Sequence, residues 1–377
     1  MQDLRHFFAP IHFLETQPPG TYDPTQWGAH VSYATGKGFD WEEADIILVG
    51  CGEMRGEDES LEYAQSPDAI RKQFYALYNW HPSIKLADAG NILEGATLGD
   101  TRAALRTVLK EIRDAGKIAI LLGGSHDLTM QQYEAFKKEG TIINAAVVDM
   151  KIDLQDEELI TSRSFLMDIL TGQPNFIRHY SHIGFQSYYV HPHMLETLDK
   201  LRFDFFRLGK VKEQIEEMEP VLRAAHLLSF DMNAIRFSNA FSNADGSPNG
   251  FDGEEACNLL RYAGMSPEMT SVGLYGYDMR KDYKQMTAKQ AAQMLWYFID
   301  GYLIRGKEAR LSDEEEFVKF HVRFTGNDTL FLKSKHTNRW WMQLPNESFV
   351  PCSYNDYLTA ANNEIPERWL REQERLV

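Results

Sequence analysis

The chain has 377 residues, 43 % of them hydrophobic and 25 % charged, a composition that excludes a disordered chain, a collagen-like fibre and a disulfide-stapled miniprotein. With 39 basic against 55 acidic residues the formal charge is −16, which argues against a nucleic-acid partner, because such surfaces need clustered Lys and Arg. No apolar run approaches the roughly 20 residues that cross a bilayer. The N-terminal segment lacks a leader pattern, and Cys51, Cys257 and Cys352 lie too far apart to form a framework. A reduced, cytoplasmic protein with no membrane partner is expected.

The first forty or so residues (FFAPIHF, QPPGTYDPTQWG) are rich in aromatics, Pro and Gly without a sustained period, and read as an extension over residues 1–43. ADIILVGCGE then has the continuous apolar run of a buried parallel strand, followed by a helix at PDAIRKQFYAL with Pro67 in its first turn. TRAALRTVLKEIRDAGK carries apolar residues at 105, 108, 109 and 112, a helical stripe that Gly116 is placed to end. The alternation continues through IAILLGG, LTMQQYEAFKK, INAAVVDM, HIGFQ, one charged helix over GKVKEQIEEMEPVLRAA, HLLSFDMN, GEEACNLLRYAG, SVGLYGYD and TAKQAAQMLWYFIDGYLI. Such alternation predicts a three-layer α/β/α domain over 44–305 with a mostly parallel sheet. From 306 to 377, short aromatic and β-branched runs between turn signals predict a small β-rich extension with a polar C-terminal helix, and Trp340-Trp341 reads as packing.

Three strand ends carry unusual polar residues: Gly123-Gly124-Ser125-His126-Asp127, Asp149-Met150-Lys151-Ile152-Asp153, and Asp231-Met232-Asn233. Each alone has an ordinary explanation, as a loop residue, a helix cap or an ion-pair cluster. Together they bring one histidine and several carboxylates to the carboxyl edge of a parallel sheet, where chemistry collects in such folds. His with several Asp is a ligand set for Mn²⁺ or a similar divalent cation. The four histidines of RHYSHIGFQSYYVHPH straddle a predicted strand and are not expected to form a second site, and Cys51 reads as a buried small residue.

These motifs resemble those of the ureohydrolase family, which includes arginase, agmatinase and formimidoylglutamase. GGSHDLT, VVDMKID and SFDMN stand in the order of that family's Gly-Gly-x-His, Asp-x-His-x-Asp and Ser-x-Asp-x-Asp motifs, supported by PDAIR, DAGNILEG and GFDGEEA. The SRSF segment resembles the formimidoylglutamase loop more than the histidine-bearing loop of arginase. The resemblance implies an arginase-like fold, a pair of Mn²⁺ ions, hydrolysis of an amidine or guanidine, and a homo-oligomer, commonly a trimer or hexamer. It assigns His126, Asp149, Asp153 and Asp231 to one metal site. At the second site the matching positions are Lys151 and Asn233, so both ligands are replaced.

One divalent ion and the Lys151 ammonium would balance three aspartates, which suggests one Mn²⁺ per chain with Lys151 in place of the second ion. Lys151 and Glu255 are then the candidate catalytic residues, with Glu255 resembling a late acidic residue of the family that orients the amidine. Asn233 and Arg163 are the candidate substrate contacts. The competing expectation is a catalytically inactive relative kept for structure, sensing or partner binding. A deacetylase-like activity on the same fold is a third.

Overall fold

The computed structural model describes residues 4–34, 41–57, 66–138, 141–157, 159–242 and 245–375. In chain order its first half runs β1 (Phe8–Ala9), β2 (Ser32–Tyr33), β3 (Ile46–Gly50), α1 (Ser66–Tyr75), β4 (Leu86–Ile92), α2 (Leu98–Asp114), β5 (Ile118–Leu122), α3 (Thr129–Glu134) and β6 (Ile143–Val148). There follow α4 (Phe165–Thr171), β7 (Ile177–Phe185), α5 (Pro192–Lys200), β8 (Asp204–Arg207), α6 (Leu208–Glu213), α7 (Met218–Arg223), β9 (Leu227–Asp231), α8 (Gly253–Gly264), β10 (Ser271–Tyr275) and α9 (Met286–Arg305). The C-terminal part contains β11 (Phe317–Phe324), β12 (Asn327–Ser334), β13 (Trp340–Gln343), β14 (Phe349–Cys352), α10 (Tyr354–Ala361) and α11 (Glu367–Glu374).

Ten strands form one sheet in the order β1-β4-β3-β5-β10-β9-β6-β7-β8, with β2 beside β4. All pairings are parallel except that of β1 with β4. Alternate residues face opposite layers, as a two-residue period requires. Ile46 and Leu48 pack with α1, α8 and α9, whereas Ile47 and Val49 pack against Leu105, Val108 and Ile112 of α2. A third cluster joins β6 to α3, α4 and α5. The result is the three-layer α/β/α architecture expected from the alternation.

Two expectations need correction. No strand was expected over DAGNILEG, yet β4 is a fully buried strand there. Its Asp88 and Asn91 interrupt the apolar signal, and they are tolerated because Arg71 meets both. The single charged helix is instead α6, a 3₁₀ turn at Ile215–Glu217 and α7. Gln214 leaves the helical region (φ −147°, ψ 66°), and Pro220 then falls in the first turn of α7, where its missing N–H costs nothing.

The N-terminal segment lays Trp27 in the core, its ring stacked on Phe74 with centroids 5.6 Å apart. At the other end, β11–β14 form an antiparallel sheet. Buried Arg223 of α7 fastens that sheet by donating from Nη2 to Trp340 O at 2.8 Å, with its guanidinium 4.3 Å from the Trp341 ring centre. Trp340 and Trp341 are both packing residues here. α11 closes over the edge strand β8, where Arg375 lies 2.8 Å and Arg371 3.4 Å from Asp204. Among the described residues, no helix is long and apolar enough to cross a membrane.

Candidate metal centre

The carboxyl ends of β5, β10, β9 and β6 lie side by side. Val148 is in register with Phe230, so the residues that follow, Asp149 and Asp231, are neighbours. His126 arrives from beyond β5 on a turn that passes close under the chain. A Cβ on Gly124 would lie 2.0 Å from Glu53 O, so only glycine fits there. β10 intervenes between β5 and β9, and the residue that follows it is Gly276 (φ +75°), where a Cβ would meet Asp231 Oδ1 at 2.6 Å. Two glycines therefore let the histidine and the aspartates converge.

They do converge. His126 Nδ1 lies 3.2 Å from Asp153 Oδ2, 3.3 Å from Asp231 Oδ2 and 3.6 Å from Asp149 Oδ2, and all four side chains are buried. Among the described residues, the one group of His, Cys, Asp or Glu close enough to share an ion is His126, Asp149 and Asp153, their ligand atoms within 4.8 Å of one another. Asp231 joins through its approach to His126 Nδ1. On the far side of the ring, His126 Nε2 is 2.8 Å from Ser229 Oγ, which is 2.6 Å from Thr129 Oγ1. With the proton on Nε2 and donated to Ser229, the Nδ1 lone pair faces the carboxylates, the form a metal ligand takes.

Electrostatics point the same way. Burial, reinforced by the Asp153 charge, pushes Asp149 up to about 8 despite the opposing His126 and the N–H groups of Met150 and Lys151. Burial also pushes Asp153 up to about 8, against the lowering effects of Asp149 and Lys151. Burial and the Asp149 charge place Asp231 well above the usual carboxylate range. His126 Nδ1 and Asp153 Oδ2 are buried without a hydrogen-bond partner. Orphaned acceptors and crowded carboxylates are what a divalent cation relieves, and one imidazole nitrogen with carboxylate oxygens suits Mn²⁺. The residues present fit one such ion.

The remaining candidates are placed differently. Lys151 Nζ pairs with Asp245 Oδ2 at 2.5 Å. Asn233 Oδ1 accepts from the backbone N–H of the same Asp245 at 3.1 Å, and Asn233 N donates to Asp231 Oδ1 at 2.7 Å. Both positions matched to the second metal site are thus tied to one loop residue. Arg163 Nε is 3.1 Å from Glu157 Oε1. Glu255 is not brought to the cluster: it forms a capping box with Asp252 at the start of α8, and its carboxylate also accepts from Lys212 Nζ.

Other polar residues resolve as structural. His182 Nε2 is 3.1 Å from Asp149 O, and burial drives its pKa down to about 3. His179 pairs with Asp204 at 3.0 Å, and His191 stacks on His193. Cys51 is buried, which raises its thiol to about 12.

Ser229 and Asp245 escaped the sequence reading. Ser229 had a signal, since it stands two residues before Asp231 on a buried strand and points to the same side. Asp245 had none, lying in a polar loop beyond β9.

The arginase-family sequence profile matches residues 44–300. Among curated proteins, formimidoylglutamase of Macrococcus caseolyticus is 28 % identical over 135 residues, a match spanning 34 % of this chain but only 43 % of that relative. Formimidoylglutamase of Staphylococcus carnosus is 22 % identical over 245 residues, covering 62 % of this chain and 78 % of that one. Among solved structures, formiminoglutamase of Trypanosoma cruzi with Mn²⁺ superposes at a TM-score of 0.65 and 17 % identity, over 71 % of this chain and 96 % of its own. Formimidoylglutamase of Bacillus subtilis gives 0.65 and 17 % over 74 % and 92 %. The profile takes in the three strand ends that build the cluster and spans more than half of the sequence, so the chain belongs to the arginase family.

Proposed function

We propose that this chain is a metal-dependent hydrolase of C–N bonds in linear amidines, of the formimidoylglutamase type, working with one Mn²⁺. The observation that carries the reading is the buried, unpartnered Nδ1 of His126 ringed by three aspartates at the sheet edge of an arginase-family chain. His126, Asp149, Asp153 and Asp231 would hold the ion, and Ser229 fixes the ring that presents Nδ1. A divalent ion in such a site lowers the pKa of a water and polarises the amidine.

Lys151 would stand as the fixed cation beside it. Burial lowers the ammonium's pKa, but the hydrogen bond and charge of Asp245 outweigh this and raise it, so Lys151 stays protonated without a lone pair for a metal. Its pairing with Asp245, and the use of Asn233 Oδ1 by the same residue, support a single-ion site. Lys151 then stabilises charge on the reacting group, and Asn233 and Arg163 offer the substrate contacts. Glu255, whose carboxylate closes the α8 cap and accepts from Lys212, is not among the residues that would hold this ion. A trimer or hexamer is the expected assembly.

The same replacements favour a second reading, an inactive relative that binds its ligand without turnover. Elemental analysis of the purified chain after excess Mn²⁺, paired with an assay on formimidoylglutamate, separates the two. About one ion per chain, lost in Asp149→Ala, together with turnover supports the hydrolase. One ion with no turnover favours the inactive relative. Two ions refute the single-ion site, and none refutes the metal centre.

A further inference from the structure

We propose that the cavity between the carboxyl ends of β7 and β8 binds a small carboxylate ligand. It encloses about 480 Å³ and is lined by residues other than the metal cluster, among them Gln186, Arg207, Leu208, Lys210, Arg236 and Pro248. On a chain of charge −16 this cavity gathers four cations, Arg207, Lys210, Lys212 and Arg236. Three carboxylates answer them. Lys212 is held by Glu255 and Asp252, Arg236 Nη2 lies 3.4 Å from Asp252, and Lys210 is a loose 3.8 Å from Glu213. The balance is one positive charge. Among the described residues no acid pairs with Arg207, whose exposed guanidinium keeps its planar fork available for a carboxylate.

The cavity floor is built rather than incidental. Gln186 is 2 % exposed, donates from Nε2 to Asn249 O at 3.1 Å and accepts from the Tyr188 hydroxyl. Its backbone N–H donates to Met150 O at 2.9 Å, which ties the floor to the strand end that carries Asp149 and Lys151. Phe185, Leu208 and Pro248 add apolar wall, so the site favours a carboxylate on a short aliphatic stem over a bare inorganic anion.

The test is calorimetric titration with L-glutamate, and separately with inorganic phosphate, on metal-free and on Mn²⁺-loaded protein. Glutamate is expected to bind both forms with a Kd in the millimolar range, more weakly at higher salt, and about tenfold more weakly in Arg207→Ala. Because Arg207 is exposed, that variant should keep the wild-type unfolding midpoint. No glutamate binding to the wild type, or unchanged binding in Arg207→Ala, overturns the proposal. Phosphate binding tighter than glutamate overturns the carboxylate assignment. The metal-free arm separates this result from the hydrolase reading, which stands or falls on metal content and turnover.

Discussion

Two buried polar clusters sit at the carboxyl edge of the same sheet, and they differ in completeness. Between α1 and β4, the side chain of Arg71 is fully enclosed and every nitrogen is used: Nε and Nη2 meet Asp88 at 2.7 and 3.0 Å, and Nη1 meets Asp68 at 3.0 Å. Asn91 Nδ2 also donates to Asp68 at 2.8 Å, and the Tyr75 hydroxyl donates to Asp88. Beyond β5, β9 and β6, three aspartates surround one histidine whose facing nitrogen has no hydrogen-bond partner. The first cluster contains its own cation. The second has carboxylates held far above their usual range for want of one. A satisfied buried network is a structural part, whereas an unsatisfied one at a strand edge marks the place for a ligand.

That contrast can be broken by substitution. Arg71→Leu leaves Asp68 and Asp88 buried without their counter-charge, and should destabilise the protein by about 3–5 kcal/mol in urea unfolding. A loss below about 1 kcal/mol would mean that the network is not the structural unit described.

The metal cluster should behave in the opposite sense. Asp149 and Asp153 have folded pKa values near 8, raised above their ordinary value of 3.8. A raised folded pKa means that the folded state holds its protons more tightly than the unfolded chain. The associated stability is therefore complete below about pH 4 and is lost as pH rises through about 8. Metal-free protein should lose on the order of 1 kcal/mol per pH unit across that window. Asp153→Asn should flatten the slope and abolish the rise in Tm that Mn²⁺ produces. Thermal unfolding across the pH range, with and without Mn²⁺, measures both, and a pH-independent metal-free protein would remove the electrostatic argument.

The smallest effect tests the support behind the cluster. Ser229→Ala removes the acceptor for His126 Nε2–H while leaving all four ligands, and should weaken Mn²⁺ binding about 10–100-fold with little change in metal-free stability. Equal affinity in the variant, measured by competition with a chelator, would show that the ring is held by packing alone.

The strand–helix alternation and the polar strand ends were legible in the sequence because both are local. Apolar runs of five residues and helical stripes reflect burial of one segment at a time. Asp149 and Asp231 end such runs directly, and His126 and Asp153 follow within five residues of one, so a parallel sheet gathers them at one edge. Where the reading fell short, the cause was non-local. β4 was hidden because Asp88 and Asn91 look unsuited to a buried strand until Arg71, from a different element, is brought against them. Glu255 stands after a Gly-rich segment, and only the fold shows that its carboxylate closes the first turn of α8 and meets Lys212 from another element.

By itself, then, the sequence determined the layer architecture, the edge at which the acids collect, and the presence of Lys151 and Asn233 among them. Those follow from residue identity and short-range periodicity. Only the tertiary structure decided which groups are satisfied. Asp245 reaches Lys151 and Asn233 across a loop, Ser229 holds His126, and the basic cavity assembles from residues of four separate stretches of chain. Satisfaction of a buried charge depends on what lies within about 3 Å in space, and chain order does not carry that distance.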